Sequence, residues 1–353
     1  MLIHADGFNI YGSNPDRLLD RVYSDLVSCT LPTSNPRTGA RHLRYNARAN
    51  NSGLRRALGF PRSVVGTGSA FYIPDLPTNN QDIAFCQFRT GGNANMLTLG
   101  ISSTGRIQAR AGGRGGTLIG QSEQIIRAGA YQHIEARWER GVVNGSLEVR
   151  VNGRTRLNLI DIDTTNGLDQ DCEQIFYGLG GLPKTGAPDY VDMDDLFIWD
   201  DQGDTNNDFI GDKKCYTRFP NADGAENDWT PISGSNRFAM LDNVPPQDAS
   251  EYIYAVGNQS FNERQTVQLA NFPAEIVAVA GVVTYTRLWK TDAGDAGVQV
   301  GLISGASEAQ GAEHALDQSP GYYQDVFEVD PATSSPWTLG ALNAMLASLE
   351  RTL

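Results

Sequence analysis

The sequence predicts an all-β protein of two β-sandwich domains, the C-terminal one smaller, with a short C-terminal helix. Hydrophobic and polar residues alternate through most of the chain, which is the pattern of strands with one buried face. The composition is turn-rich, with 38 glycines and 16 prolines among 353 residues. At roughly 100–200 residues per domain, this length fits two domains.

The strongest strand signal lies in the segment SLEVRVNGRTRLNL, where leucine and valine alternate with charged residues. The dipeptide Asn152-Gly153 lies at its centre, and Asn-Gly tolerates the positive φ angles of a type I′ turn. We therefore predict a hairpin turning at 152–153, and a second hairpin turning at 103–105. In the preceding segment HIEARW, alternation places Trp138 in the core and His133 on a face open to solvent or a groove.

Two segments have helical periodicity. In NPDRLLDRVYSDL, Pro15 suits a first helical turn, and hydrophobic residues recur every four positions up to Leu26. In SSPWTLGALNAMLASLERTL, the leucines from Leu339 to Leu349 form one apolar stripe after a proline. We expect a helix in each segment.

An acidic stretch, YVDMDDLFIWDDQGDTNNDFIGD, covers residues 190–212. Its first half reads as a central strand, because LFIW is apolar on both faces. Its second half has turn composition and predicts an acidic linker at 203–212. The predicted domains are therefore 1–202 and 213–353.

A calcium site is the alternative interpretation of that linker. Its candidate ligands, at positions 1, 3, 5 and 9 of a calcium-type loop, are Asp204, Asn206, Asp208 and Asp212. An EF-hand also needs glycine at position 6 and glutamate at position 12, where this chain has Phe209 and Cys215. A solvated linker is the favoured interpretation, and apart from this Ca²⁺ no cofactor is predicted.

The chain contains one basic run, residues 37–56, in an otherwise acidic protein. A solvated surface is the simpler interpretation. A docking arm for an acidic neighbouring subunit is the functional one. The candidate contact residues are Arg37, Arg41, Arg44, Arg48, Arg55 and Arg56.

Familiar catalytic signatures are absent from the sequence: it has no GxSxG, GxxxxGK[ST] or HExxH, and no GxGxxG between a strand and a helix. Two strand-borne carboxylates, Asp192 and Asp194, have spacing compatible with glycoside hydrolysis, but they do not match the ExDxxE pattern of laminarinase-like jelly rolls. The sequence therefore predicts that the protein is not an enzyme.

Composition excludes several partners. The net charge of −13 argues against nucleic acid, which needs clustered basic residues. No apolar run is long enough for membrane insertion, and no signal peptide is visible, which predicts synthesis in a cytoplasm. The four cysteines lie far apart and are expected to be free, buried thiols.

Two blocks of sequence resemble known families. Residues 1–200 resemble the laminin G-like, concanavalin-type jelly roll through DGFNIYG, YQHIEARWERGVVNGSLEVRVNG and YVDMDDLFIWD. The segments NNDFIGDKKCYTRFPNADGAENDWTPISG, LDNVPPQDASEYIYA and DPATSSPWTLGALNAML resemble the C-terminal half of a family of virion proteins of tailed bacteriophages. The resemblance implies a virion location.

The resemblance leads us to expect a non-catalytic virion structural protein, such as a short fibre, a decoration, or a collar or tail accessory protein, that contributes to host attachment. Other virion proteins and further copies of the chain are its expected partners. One alternative is a lectin-like adhesin that binds a host-surface glycan, for which an exposed Trp229 would provide a stacking surface. A polysaccharide hydrolase is the less favoured alternative.

Overall fold

The computed structural model describes residues 1–46, 52–78, 82–179, 189–255 and 262–352. Contacts divide the chain into two compact units. The first unit comprises Met1–Asn9, Ser13–Leu19 and Tyr23–Cys215; the second comprises Ile10–Gly12, Asp20–Val22 and Tyr216–Leu353. By this division the residues of the predicted linker belong to the first unit, while the predicted limits of 1–202 and 213–353 stay a prediction.

The first unit is built from strands, with one 3-10 helix at Pro15–Leu19. The strands are β1 (Leu2–Asp6), β2 (Asp25–Val27), β3 (Cys29–Thr30), β4 (Leu43–Asn46), β5 (Ser52–Arg62), β6 (Val64–Tyr72), β7 (Asp82–Arg89), β8 (Asn95–Ser102), β9 (Arg106–Ala111), β10 (Thr117–Gln124), β11 (Tyr131–Glu139), β12 (Gly145–Val151), β13 (Arg154–Ile162), β14 (Cys172–Leu179) and β15 (Tyr190–Asp200).

Two antiparallel sheets face each other in this unit. The eight-stranded sheet has the order β13-β12-β11-β6-β15-β4-β3, with β1 also paired to β15. The seven-stranded sheet has the order β10-β9-β8-β7-β14-β5-β2. The hydroxyls of Thr67 and Tyr177 join the two sheets at 2.6 Å, and the rings of Phe88 and Trp138 stack between them at 5.9 Å. The first unit is thus a β-sandwich.

The predicted hairpin turn at Asn152-Gly153 is confirmed. Both residues have positive φ, 50° and 75°, and they join β12 to β13. The turn at 103–105 is also confirmed, because it joins β8 to β9. The core position of Trp138 is confirmed as well, since its side chain is fully buried.

The second unit contains shorter strands, a 3-10 helix at Phe238–Met240 and one α-helix, α1 (Leu339–Ala344). Its strands are β16 (Pro220–Asn227), β17 (Thr230–Pro231), β18 (Ile253–Tyr254), β19 (Arg264–Leu269), β20 (Val282–Leu288), β21 (Gly297–Ser304), β22 (Ser307–Ala315), β23 (Gly321–Phe327), β24 (Val329–Asp330), β25 (Ser335–Pro336) and β26 (Leu346–Arg351). The sheet β16-β19-β26-β21-β22 forms its centre, with the two-stranded sheets β17-β18, β20-β23 and β24-β25.

The predicted fold class is confirmed, including the short C-terminal helix, but the extent of both predicted helices is wrong. The N-terminal segment forms only the 3-10 turn that buries Leu18, and the chain then enters β2. The C-terminal stripe divides in two: Leu342 packs from α1, whereas Leu349 lies in β26 between β19 and β21. Pairing on both sides of β26 outweighs the helical spacing of these leucines.

The lectin-like alternative would use an exposed Trp229, but the ring lies in the core of the second unit at 6% exposure and offers no stacking surface. The four cysteines are free thiols, as predicted, and three of them are buried. The described part of the chain contains no helix with the length and hydropathy needed to cross a bilayer.

Gly66 gives a test of the packing on the outer face of the eight-stranded sheet. A Cβ at this position would lie 1.9 Å from Cε2 of Trp199. We expect Gly66→Ala to lower the free energy of unfolding by about 1–3 kcal/mol, the usual cost of overpacking. Gly115→Ala is the matched control, because no atom lies within 4 Å of its Cβ. Equal denaturant midpoints for the two variants would contradict the expectation.

Candidate functional site

The candidate site lies on the outer face of the seven-stranded sheet. Directly opposed residues on β5, β14, β7, β8 and β9 form one row across this face. The row consists of Arg55, Phe176, Gln87, Thr98 and Arg110. The other face of the same strands carries core residues such as Phe88 and Leu97. The row therefore points away from the sandwich interior.

Arg89 occupies the centre of this face. It lies two residues beyond Gln87 on β7, so both side chains project to the same side. Its guanidinium lies over the ring of Phe176, with Cζ 4.3 Å from the ring centroid. Its Nε donates to Oε1 of Gln87 at 3.1 Å, and a second guanidinium nitrogen donates to the same oxygen. Gln87 and Phe176 are both buried, at 1% and 2% exposure.

Arg89 is a half-buried cation that, within the described residues, forms no ion pair with a carboxylate. Burial, together with the nearby charge of Arg55, lowers the pKa of Arg89 to about 10. Arg44 shows the opposite behaviour, because its hydrogen bond to the carboxylate of Asp192 raises its pKa. At neutral pH Arg89 is still cationic, and the nearby carboxylate of Asp25, which pairs with Arg55, offsets its charge only in part.

Further arginines flank Arg89. Arg55 lies 3.5 Å from the carboxylate of Asp25 and hydrogen-bonds to Asn93. On the other side, Arg110 pairs with Asp82 at 3.0 Å. Burial also lowers the pKa of Arg114, in the loop between β9 and β10. A face rich in guanidinium groups thus occurs in a chain whose net charge is −13.

Such a face can bind planar anions. A guanidinium presents paired N–H donors that match the two oxygens of a carboxylate, and partial burial strengthens this attraction. The side-chain amides of Asn93 and Asn95 add neutral hydrogen-bonding groups. In the strands that the structure describes, this face carries no histidine, tyrosine or lysine, and its carboxylates Asp25 and Asp82 pair with Arg55 and Arg110, so we assign no proton-transfer group to it.

The predicted contact arginines have partners within the first unit. Arg37 pairs with Asp195 at 3.0 Å and also with Asp212. Arg44 makes two hydrogen bonds to Asp192, at 2.6 and 2.8 Å. Arg55 belongs to the basic face described above.

The remaining members of that set are less informative. Arg41 donates to the carbonyl of Leu31 at 2.6 Å. Arg56 is half-buried in β5, opposite Ile175 of β14. Arg48 lies outside the described residues. The predicted contact of these arginines with another chain stays a prediction.

The predicted calcium ligands are mostly exposed. The carboxylate of Asp212 pairs with Arg37, whereas Asp204 and Asp208 lie at the surface. In the described ranges, no group of three or more His, Cys, Asp or Glu side chains is arranged to hold a metal ion. A calcium site at Asp204, Asn206, Asp208 and Asp212 stays a prediction.

Residues 209–215 pack against the eight-stranded sheet. The buried carboxylate of Glu135 accepts hydrogen bonds from the amides of Ile210 and Gly211 at 2.8 and 3.0 Å. The amide of Cys215 donates to Asp195 at 2.7 Å. The ring of Phe209 lies 5.8 Å from that of Trp199. This segment is therefore tied to strands of the first unit by buried acceptors.

Asp192 and Asp194, the candidate hydrolytic pair, are both fully buried. Asp194 accepts hydrogen bonds from the amides of Arg37 and Thr38 at 2.9 and 3.0 Å. Burial and the adjacent Asp195 raise the pKa of Asp194 to about 8. These carboxylates anchor neighbouring segments and are not accessible to a polysaccharide, so the geometry does not support hydrolysis by this pair.

His133 was expected to face solvent or a groove, and this is wrong. Its ring is 2% exposed and stacks on Phe197 at 5.6 Å. Neither ring nitrogen has a hydrogen-bond partner within the described residues. Burial lowers the pKa of His133 to about 4. The alternation in HIEARW predicted the strand correctly, but it did not predict that the outer face of this strand is buried as well.

Sequence reasoning missed Gln87 and Arg89. Both lie in the segment CQFR of β7, where polar residues alternate with the core residues Cys86 and Phe88. That alternation is a strand signal. It does not show that the polar residues lie among other arginines on adjacent strands, because those strands are distant in sequence.

No protein-family model and no curated protein matches this chain. Among solved structures, it is similar to an endo-β-1,4-glucuronan lyase from the fungus Trichoderma reesei, with 14% identity, a TM-score of 0.43, and 56% of this chain and 95% of that chain covered. An alginate lyase from Chlorella virus has 12% identity and a TM-score of 0.37, covering 54% of this chain and 98% of that chain. A Trypanosoma rangeli sialidase has 12% identity and a TM-score of 0.32, covering 48% of this chain and 26% of that chain.

These structures are carbohydrate-processing enzymes, and none of them is a virion structural protein. They contradict the prediction of a non-catalytic virion protein and the prediction that the chain is not an enzyme, and both are corrected. With TM-scores below 0.5, the similarities assign neither a reaction nor a substrate to this chain. The predicted virion location and virion partners stay predictions.

The buried His133 predicts an acid-dependent loss of stability. Between pH 6.5 and about 4 the unfolded chain binds a proton at this residue, whereas the folded chain does not. The free energy of unfolding is therefore unaffected by the titration of this residue above pH 6.5, and it decreases as pH falls from 6.5 to about 4. A shift from 6.5 to about 4 corresponds to about 3 kcal/mol.

His133→Phe should reduce this acid loss, because a phenyl ring keeps the stacking on Phe197 and does not titrate. The measurement is urea unfolding of wild type and variant at several pH values from 7 down to 4. Parallel pH profiles for the two proteins would contradict a buried, neutral His133.

Substitution of Arg44 and of Arg89 distinguishes a cation that stabilises the fold from one that is available to a ligand. Arg44→Met leaves the carboxylate of Asp192 buried without its two guanidinium hydrogen bonds, so we expect a loss of about 3 kcal/mol. Arg89→Met leaves no buried carboxylate behind, only the amide oxygen of Gln87 without its two donors, so we expect a smaller loss, of about 1 kcal/mol. The test is denaturant unfolding of both variants. An equal loss in both would show that Arg89 is a structural cation.

Proposed function

We propose that the first unit processes a polysaccharide of carboxylate-bearing sugars, which binds on the outer face of the seven-stranded sheet. One observation carries the proposal: Arg89 is a half-buried cation held by an amide, with no carboxylate paired to it in the described residues. The carboxylate of the sugar is the anion that this site is built to accept.

The energetics favour a ligand anion. Removing a guanidinium from water costs free energy, and Arg55 adds repulsion, as the lowered pKa of Arg89 indicates. Structural ion pairs avoid this cost, as Arg44 and Asp192 do in the same unit. A bound carboxylate would relieve both the desolvation and the repulsion at Arg89. Groups that are costly to the fold and favourable to a ligand are characteristic of functional sites.

The same charge suits a step in which a proton leaves the carbon next to a carboxylate. Negative charge then develops on the carboxylate oxygens, and a fixed cation stabilises it in the transition state. Elimination at a uronic acid is such a reaction: the C5 proton goes to a base, the C4–O bond breaks as the C4–C5 double bond forms, and the glycosidic oxygen leaves with a proton. Among the described residues of this face we assign the charge stabilisation and no base. Arg89 would supply charge stabilisation there, while its pKa of about 10 keeps it protonated and excludes it as the base at neutral pH.

The proposal predicts a charge-dependent preference among polysaccharides. Wild type should bind polyglucuronate or alginate, and it should not bind a neutral glucan of the same length. Arg89→Gln should weaken the binding at least about ten-fold, since a hydrogen bond to a charged group contributes roughly 1.5–3 kcal/mol. Arg140→Gln is the matched control, because Arg140 follows β11 of the eight-stranded sheet and pairs with Asp169 and Asp171.

Calorimetric titration measures the binding, and ultraviolet absorbance of unsaturated uronate together with new reducing ends measures cleavage. Equal binding of the neutral glucan would contradict the proposal, as would an Arg89→Gln variant that binds and cleaves like wild type. Affinity should also fall with added salt, because the contact is between opposite charges.

A further inference from the structure

Gln87 holds Arg89 by an arrangement that the chain elsewhere makes with carboxylates. At Arg44, Nε and a terminal nitrogen donate to the carboxylate of Asp192 at 2.6 and 2.8 Å. At Arg287, in the second unit, the same two kinds of nitrogen donate to Asp248 at 2.6 and 2.9 Å. At Arg89 the acceptor of both nitrogens is the amide oxygen of Gln87.

Gln87 is placed to orient this guanidinium. It is 1% exposed on a central strand, between Phe176 of β14 and Thr98 of β8. The guanidinium that it holds lies over Phe176. A buried amide with neighbours on both sides has few conformations, so the two hydrogen bonds fix both the position and the plane of Arg89.

We infer that Gln87 is a positioning residue that fixes the guanidinium of Arg89 without neutralising it, and so reserves its charge for the carboxylate of a sugar. The inference rests on the proposed function. Glutamate has nearly the same shape as glutamine and would accept the same two hydrogen bonds. It would also form an ion pair with Arg89, and a ligand carboxylate would then have to compete with it.

The inference predicts that a substitution at Gln87 affects ligand binding and thermal stability differently. Gln87→Glu should keep or raise the thermal stability of the first unit, because it adds an opposite charge beside a half-buried cation. The same variant should weaken polyglucuronate binding at neutral pH at least ten-fold. Gln87→Met removes the acceptor but leaves the cation. It should weaken binding less than Gln87→Glu does, because the guanidinium is then only misplaced.

A pH titration gives a readout that a structural role would not change. The probe is dextran sulfate, whose sulfate esters remain ionised in acid. As pH falls, the introduced carboxyl in Gln87→Glu becomes protonated and again resembles an amide, so its affinity should approach that of wild type. The charged groups facing position 87 are Arg89, Arg55 with its partner Asp25, and, two strands away, Arg110 with its partner Asp82. Because wild type and variant share these charged groups, the ratio of the two affinities is the quantity to follow.

The experiment compares wild type, Arg89→Gln, Gln87→Glu and Gln87→Met with both ligands. Loss of polyglucuronate binding in both Arg89→Gln and Gln87→Glu, with recovery of the latter for dextran sulfate in acid, supports the inference. If Arg89→Gln loses binding and Gln87→Glu does not, the inference is wrong while the proposed function stands. An affinity ratio that does not change with pH overturns it as well. If Arg89→Gln binds like wild type, the proposed function itself fails.

Discussion

A charged group that leaves water needs a partner, and this constraint organises both outer faces of the first unit. On the eight-stranded sheet, each buried carboxylate has donors supplied by the chain. Glu135 receives the amides of residues 210 and 211, and Asp194 receives those of residues 37 and 38. These acceptors hold the segments that cover the sheet. On the seven-stranded sheet, Arg89 has an amide for its partner, and this one difference marks that face as the candidate site.

Alternation of residue types predicts most of the fold, because strands with one buried face leave a clear pattern. It is less informative where both faces are buried. In β11, His133 and Glu135 alternate with the core residues Ile134 and Ala136, yet the structure buries all four. The covering segment, 209–215, begins inside the predicted linker at 203–212 and continues into the predicted second domain. Its attachment depends on single amide groups that meet carboxylates far away in sequence, and no local pattern records such pairings.

The candidate site was hidden for a related reason. The net charge of −13 is a sum over the whole chain, so it does not reveal that one sheet has a basic face. The arginine-rich run at 37–56 drew attention, but most of its described members pair within the chain. Arg89 stands alone in CQFR, and its significance comes from Arg55 and Phe176, which only sheet registration brings beside it. Register across distant strands is the part of a β fold that local sequence determines least.

The central claim is that Arg89 is the receptor for a sugar carboxylate, and a crystal structure with a bound glucuronate oligosaccharide tests it most directly. The account predicts a carboxylate oxygen about 2.7–2.9 Å from a guanidinium nitrogen of Arg89, the distance of a charge-assisted hydrogen bond. Gln87 should still hold the guanidinium over Phe176 in that complex. A sugar carboxylate bound elsewhere on the first unit, with Arg89 facing only solvent and Gln87, would contradict the account.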